Sequence, residues 1–129
     1  MEALRALGMV RGASRIHRTA AIGPAGRSFA NAAAILETDL DPVALLAALK
    51  RIERRFGRRA GRRWGPRVLD LDIILWSGGR FASRRLNIPH EGLAERPFVL
   101  HPLAQIAGDW PVPGTGRAVR HLTWRAPRY

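Results

Sequence analysis

A chain of 129 residues, 47% hydrophobic and 25% charged, is long enough to bury a real core and fits one compact domain. It holds no run of roughly 18 or more apolar residues, no leader pattern with a charged start and apolar middle, and no cysteine. That argues against helical membrane spans, secretion and disulfide or thiol chemistry, and a cytoplasmic protein is expected. The formal net charge of +12 rests almost wholly on arginine, Lys50 being the only lysine, and a field of this sign attracts a nucleoside triphosphate or a nucleic acid backbone alike.

Leu4 and Leu7 give residues 1–7 a helical spacing that stops near Gly8. A strand is expected over 15–19, a Gly- and Pro-bearing loop over "AAIGPAGRSF", and a second strand over "FANAAAILET" (29–38). "DLDPVALLAALKRIERRF" carries the clearest helix, with Asp41 as N-cap, Pro42 at the first position, apolar residues at Val43, Leu46, Leu49 and Ile52, and an end around Gly57. An arginine-rich loop (58–63) then leads into a strand beginning near Arg67, and "SGGR" turns the chain into a shorter strand ending near Leu86. A helix is expected after Pro97, before a Pro- and Gly-rich remainder. The order strand, strand, helix, strand, strand, helix reads as α+β with a largely antiparallel sheet.

The segment "RRWGPRVLDLDIILW" (62–76) sets two aspartates inside this third strand. Alternation puts Val68, Asp70, Asp72 and Ile74 on one face and Leu69, Leu71, Ile73 and Leu75 on the other, the core face. Two carboxylates roughly 7 Å apart repel each other unless a cation sits between them, and a short row of hard oxygen donors suits Mg²⁺. The strand alone leaves open a plainer reading, a solvated face of a half-covered antiparallel sheet.

Arginines recur at 51, 54, 55, 58, 59, 62, 63 and 67, most of them read as solvated basic surface. Arg58, at the end of the helix, and Arg67, at the start of the aspartate strand, are placed to grip phosphate oxygens. His90 follows a proline in a turn, and His101 has the setting of a packed or capping residue. Of the tryptophans only Trp64, in a Gly-Pro turn between arginines, suggests a loop that closes on ligand.

"RRWGPRVLDLDIIL" followed by "LNIPHEGLAERPFVLHPLAQIA" closely resembles the 6-hydroxymethyl-7,8-dihydropterin pyrophosphokinase family of the folate pathway. "HRTAAIGP", "FANAAAILET" and "LLAALKRIERRFGR" are similar to successive family segments, so the likeness covers nearly the whole chain in order. It implies a single pyrophosphokinase domain over residues 1–129, built as a ferredoxin-like α/β sandwich. It also implies transfer of the β,γ-pyrophosphoryl group of ATP to the pterin hydroxymethyl oxygen with release of AMP. The partners implied are ATP and the dihydropterin, acted on by a monomer, rather than a membrane or nucleic acid. By the same resemblance Asp70 and Asp72 hold two Mg²⁺ ions, and Arg58 and Arg67 are the catalytic arginines. His90, Arg96, Glu53 and Trp64 stand on the nucleotide side, while Asn31, Phe98 and Phe29 bind the pterin.

Three departures qualify the likeness. Family members open with a strand carrying an Ala-Leu-Gly-Ser-Asn-like turn and then a helix, whereas this chain begins partway along what resembles that helix. A sheet built without that strand is expected to expose two rows of unpaired backbone groups or to rearrange, and the reading is either a misplaced start or a shortened, inactive relative. Phe29 stands where many members have tyrosine, and Glu91 where an aromatic is frequent. The alternative function is a basic module that binds nucleotide or RNA through the surface around residues 51–67, with affinity falling steeply as salt rises.

Overall fold

The computed structural model describes residues 2–19, 29–59, 69–93 and 96–123. Helix α1 (Glu2–Arg5) ends in a turn whose last carbonyl, that of Leu7, accepts the Thr38 hydroxyl at 2.8 Å. Gly8 then passes so close over the Glu37 carbonyl that a Cβ could not be added without moving backbone.

Strands β1 (Met9–Ala13), β2 (His17–Thr19), β3 (Phe29–Asn31) and β4 (Ala34–Glu37) form two antiparallel ladders, β1 with β4 and β2 with β3. Met9 and Val10 face Glu37 and Leu36, Gly12 and Ala13 face Ile35 and Ala34, and His17 faces Asn31. The first side therefore carries one residue more than the second at two places, once at Arg11 and again between Ala13 and His17. Extra residues of this kind bend and twist a strand pair, which is why the expected single strand over 29–38 is two. Ser14 bridges the join, donating its N–H to the Ala33 carbonyl and accepting the Ala33 N–H at its hydroxyl, each at 2.8 Å. Strand β1 was not among the sequence expectations.

Helix α2 (Pro42–Arg59) starts as its sequence dictates: Asp41 Oδ1 accepts the Ala44 N–H at 2.8 Å, satisfying one of the amides a helix start leaves bare. It runs two residues beyond Gly57. Its buried stripe is Ala48, Leu49 and Ile52, while Val43, expected to be apolar core, is 55% exposed. Val43 lies one turn too early to reach the interior and instead walls a cleft.

The expected aspartate strand is not part of a ladder over its described residues, 69–76. Burial alternates through Leu69, Asp70, Leu71, Asp72 and Ile73, then stops, because Ile74 and Leu75 both pack toward the core. The backbone finds partners of another kind: the Leu71 N–H donates to a Glu53 carboxylate oxygen, and the Ile74 carbonyl accepts the His90 N–H. Ladder formation needs a neighbouring strand at that spacing, and here a side chain and a turn amide take two of those places.

A short hairpin follows, β5 (Phe81–Ala82) with β6 (Asn87–Ile88), with the Trp76 ring set edge-on to Phe81 at 6.1 Å. Helix α3 (Pro97–Ala107) begins with Pro97, whose missing N–H costs nothing at a helix start, and encloses Pro102. Strands β7 (Pro111–Val112) and β8 (Arg117–Ala118) pair, with Gly114 and Gly116 at positive φ in the turn, and helix α4 (Val119–Thr123) folds back on α3. Leu93, Leu100, Leu103, Ala107, Val112, Val119 and Leu122 form the buried cluster, with Ile35, Ile74, Leu75 and Trp110 against it. Helices with small antiparallel sheets make this an α+β fold. Among the described residues no helix is long and apolar enough to cross a membrane.

Candidate active site

Packing α2 beside residues 72–73 and the segment 83–91 leaves a cleft of ≈ 950 Å³. One wall is the face of α2 carrying Val43, Leu46, Ala47, Lys50, Arg51 and Arg54, residues three or four apart and therefore stacked along one side. Opposite stand Arg84, Arg85, Asn87, His90 and Glu91, with Asp72 and Ile73 between the two. Five cationic side chains face two carboxylates, Asp72 and Glu91, and Glu91 already accepts the Asn87 amide at 3.0 Å. A surplus of positive charge in a concave site attracts a compact polyanion and holds it by charge-assisted hydrogen bonds.

Asp70 and Asp72 are both exposed, and among the described residues neither takes a hydrogen bond or ion pair. The amide between them is fixed from α2: Glu53, its side chain only 17% exposed, accepts the Leu71 N–H at 2.5 Å and the Lys50 ammonium at 3.2 Å. Expected on the nucleotide side, Glu53 thus reaches the backbone that presents the two aspartates. Among the described residues no three of His, Cys, Asp and Glu gather as a metal-binding group. Two free carboxylates nevertheless fit Mg²⁺, which in phosphate-transfer sites keeps several waters and takes one or two carboxylates plus substrate oxygens.

His90 is anchored on three sides. Its N–H donates to the Ile74 carbonyl at 3.0 Å, its carbonyl accepts the Leu93 N–H at 3.1 Å, and its Nδ1 accepts the Gly92 N–H at 3.2 Å. The last bond leaves Nε2 as the protonated nitrogen of the neutral ring. Arg96 occupies the N-cap position of α3 without capping it by its side chain, which instead lies over Gly92.

The residues expected on the pterin side lie elsewhere, on β3 and α3. Asn31, half-buried, ends β3 directly opposite His17, and Phe98, half-buried, is the second residue of α3, which packs on β2 and β3. Phe29 begins β3 opposite Thr19. Arg58 lies in the last turn of α2; its side chain, together with Arg67 and Trp64, lies outside the described residues. Sequence reasoning missed Lys50, Arg84, Arg85 and Asn87 and set Arg51 and Arg54 aside as surface. The four-residue step from Lys50 and the three-residue step from Arg51 to Arg54 were the available signal for the helix wall.

Comparison with known proteins identifies the family. The chain is 42% identical over 106 residues to the 2-amino-4-hydroxy-6-hydroxymethyldihydropteridine pyrophosphokinase of Synechocystis, covering 82% of this chain and 54% of that protein. It is equally identical to the enzymes of the same name from Pseudomonas aeruginosa, over 107 residues and 65% of the relative, and Haemophilus influenzae, over 103 residues and 64%. The chain thus spans about half to two thirds of the length of these relatives. A match to the family model for 7,8-dihydro-6-hydroxymethylpterin-pyrophosphokinase extends over residues 1–108, and the chain belongs to that family.

Proposed function

We propose that the protein transfers pyrophosphate from ATP to 6-hydroxymethyl-7,8-dihydropterin, giving the pterin diphosphate and AMP in folate biosynthesis. The observation that carries the reading is the cleft in which Lys50, Arg51, Arg54, Arg84 and Arg85 surround the approach to Asp72, beside a relative-rich family match over most of the chain. The hydroxymethyl oxygen attacks the β-phosphorus in line, losing its proton as the bond from that phosphorus to the α-phosphate oxygen breaks and AMP departs. Such a displacement needs positioning and neutralised charge more than covalent help from the protein.

The residues divide that work. Lys50, Arg51, Arg54, Arg84 and Arg85 neutralise the triphosphate along the cleft, and Arg58 and Arg67 act where charge builds on the transferred group. Asp70 and Asp72 would hold two Mg²⁺ ions, which would supply neutralisation of phosphate charge there. His90 and Arg96 orient the nucleotide, Glu53 secures the backbone between the aspartates, and Trp64 closes over the site. Asn31 hydrogen-bonds the pterin while Phe98 and Phe29 offer ring surface. The whole chain acts as one domain and as a monomer in the cytoplasm, and its small sheets form parts of a ferredoxin-like sandwich.

The test is AMP release from ATP and Mg²⁺ with and without the dihydropterin. Asp72→Ala is expected to lower pterin-dependent release on the order of a thousandfold, as loss of a metal ligand does, with unfolding stability within about 0.5 kcal/mol because the side chain is exposed. Full activity in an Asp70→Ala, Asp72→Ala protein would sink the proposal.

A further inference from the structure

The amide oxygen of Gln105, on α3, joins two donors from another part of the chain. It accepts the Arg15 N–H at 3.2 Å and lies 3.1 Å from His17 Nε2. A backbone amide only donates, so it fixes this end of the Gln105 side chain as the carbonyl, and the imidazole must then donate from Nε2. The contact is therefore a defined latch between α3 and the start of β2.

Its position gives it a consequence. His17 and Asn31 are direct partners across the β2–β3 ladder, so both side chains leave the same face, and Gln105 marks that face as the one turned to α3. On α3, Phe98 precedes Gln105 by seven residues, two helical turns, which puts both on one side of the helix about 10 Å apart along its axis. The latch thus ties the strand face that carries Asn31 to the helix face that carries Phe98.

We infer that Gln105 and His17 are positioning residues that set the separation between the Asn31 and Phe98 surfaces, and hence the affinity for a flat heterocyclic acceptor substrate. The inference rests on the proposed reading that Asn31 and Phe98 contact the pterin. Neither Gln105 nor His17 lines the cationic cleft, so the effect is confined to the acceptor and spares the nucleotide.

Gln105→Ala and His17→Phe are each expected to raise KM for the dihydropterin about tenfold, the effect of losing a hydrogen bond or two, with kcat and KM for ATP within about twofold. Gln105→Glu keeps an acceptor oxygen at the same reach and should restore the parent KM. Amide hydrogen exchange supplies a readout that needs no turnover: the Arg15 N–H should exchange faster in Gln105→Ala and at the parent rate in Gln105→Glu. An unchanged pterin KM despite faster Arg15 exchange overturns the positioning role, and so does a parallel rise in KM for ATP. A parent protein that releases no AMP in response to pterin overturns the underlying function instead, while the exchange data still report whether the latch exists.

Discussion

The side of the molecule built on α3 and the side built on α2 solve opposite problems. Around α3, Leu100 and Val119 are fully buried, and α4 is tied back by backbone bonds from Val119 N–H to the Trp110 carbonyl and from Arg120 N–H to the Gly108 carbonyl, joined by an ion pair between Arg120 and Asp109. Around α2 the buried aliphatic side chains among the described residues are Ala48, Leu49 and Ile52, and another face of the helix lines up Lys50, Arg51 and Arg54 beside a cleft. Like charges at that spacing destabilise a helix slightly, so the cleft side is arranged at some cost to stability. The difference teaches where each property resides: apolar burial beside α3 carries the fold, and the region poised for a polyanion depends on it together with a few polar ties.

Truncating the dry side tests the first half of that statement. Leu100→Ala removes the most deeply buried leucine, at 0% exposure, and is expected to cost about 3 kcal/mol in urea unfolding. At temperatures where the variant stays folded, its KM for ATP should match the parent. A large change in KM with little loss of stability would show that the two sides are not separable.

A smaller change probes the cleft side. Glu53→Ala removes the acceptor of the Leu71 N–H and is expected to cost about 1–2 kcal/mol of stability, the penalty for a charge-assisted bond to a partly buried amide. Its more telling effect is on turnover, which should fall more steeply than stability does because the backbone between Asp70 and Asp72 loses its anchor. Equal activity at saturating Mg²⁺ would reduce Glu53 to a structural side chain.

What the sequence conveyed about this division follows the range of the forces involved. The start of α2 was readable because a cap needs only Asp41, Pro42 and Ala44. Asp72 and His90 were readable because one compact motif carries each. Strand β1 escaped notice because "MVRGA" is short and holds glycine and arginine, and its partner β4 lies far along the chain. The segment 69–76 misled in a different way: alternation of Leu69, Asp70, Leu71 and Asp72 reports burial, which is observed, and says nothing of pairing. The cationic wall required tertiary information, since Arg54 and Arg84 meet across a cleft only when α2 packs beside the hairpin that follows.

The smallest effect separates charge that supports the fold from charge that serves the cleft. Arg11, the extra residue at the irregularity of the β1–β4 ladder, donates from Nε to Glu37 Oε2 at 2.5 Å. The hydrogen bond, and secondarily the charge, holds the Glu37 carboxyl below its ordinary range and raises Arg11. A carboxyl depressed in the folded state contributes stability that is fully present above the unfolded value, ~4.3, and is lost as pH falls through the lower folded value. Arg11→Gln should therefore lower Tm slightly at pH 7, and the gap from the parent should close in acid below that range. Both groups are exposed, so added salt should shrink the gap as well. KM for ATP should stay at the parent value throughout, because this pair stands apart from the cleft; a shift in KM would mean that the β1–β4 ladder and the cationic wall are coupled.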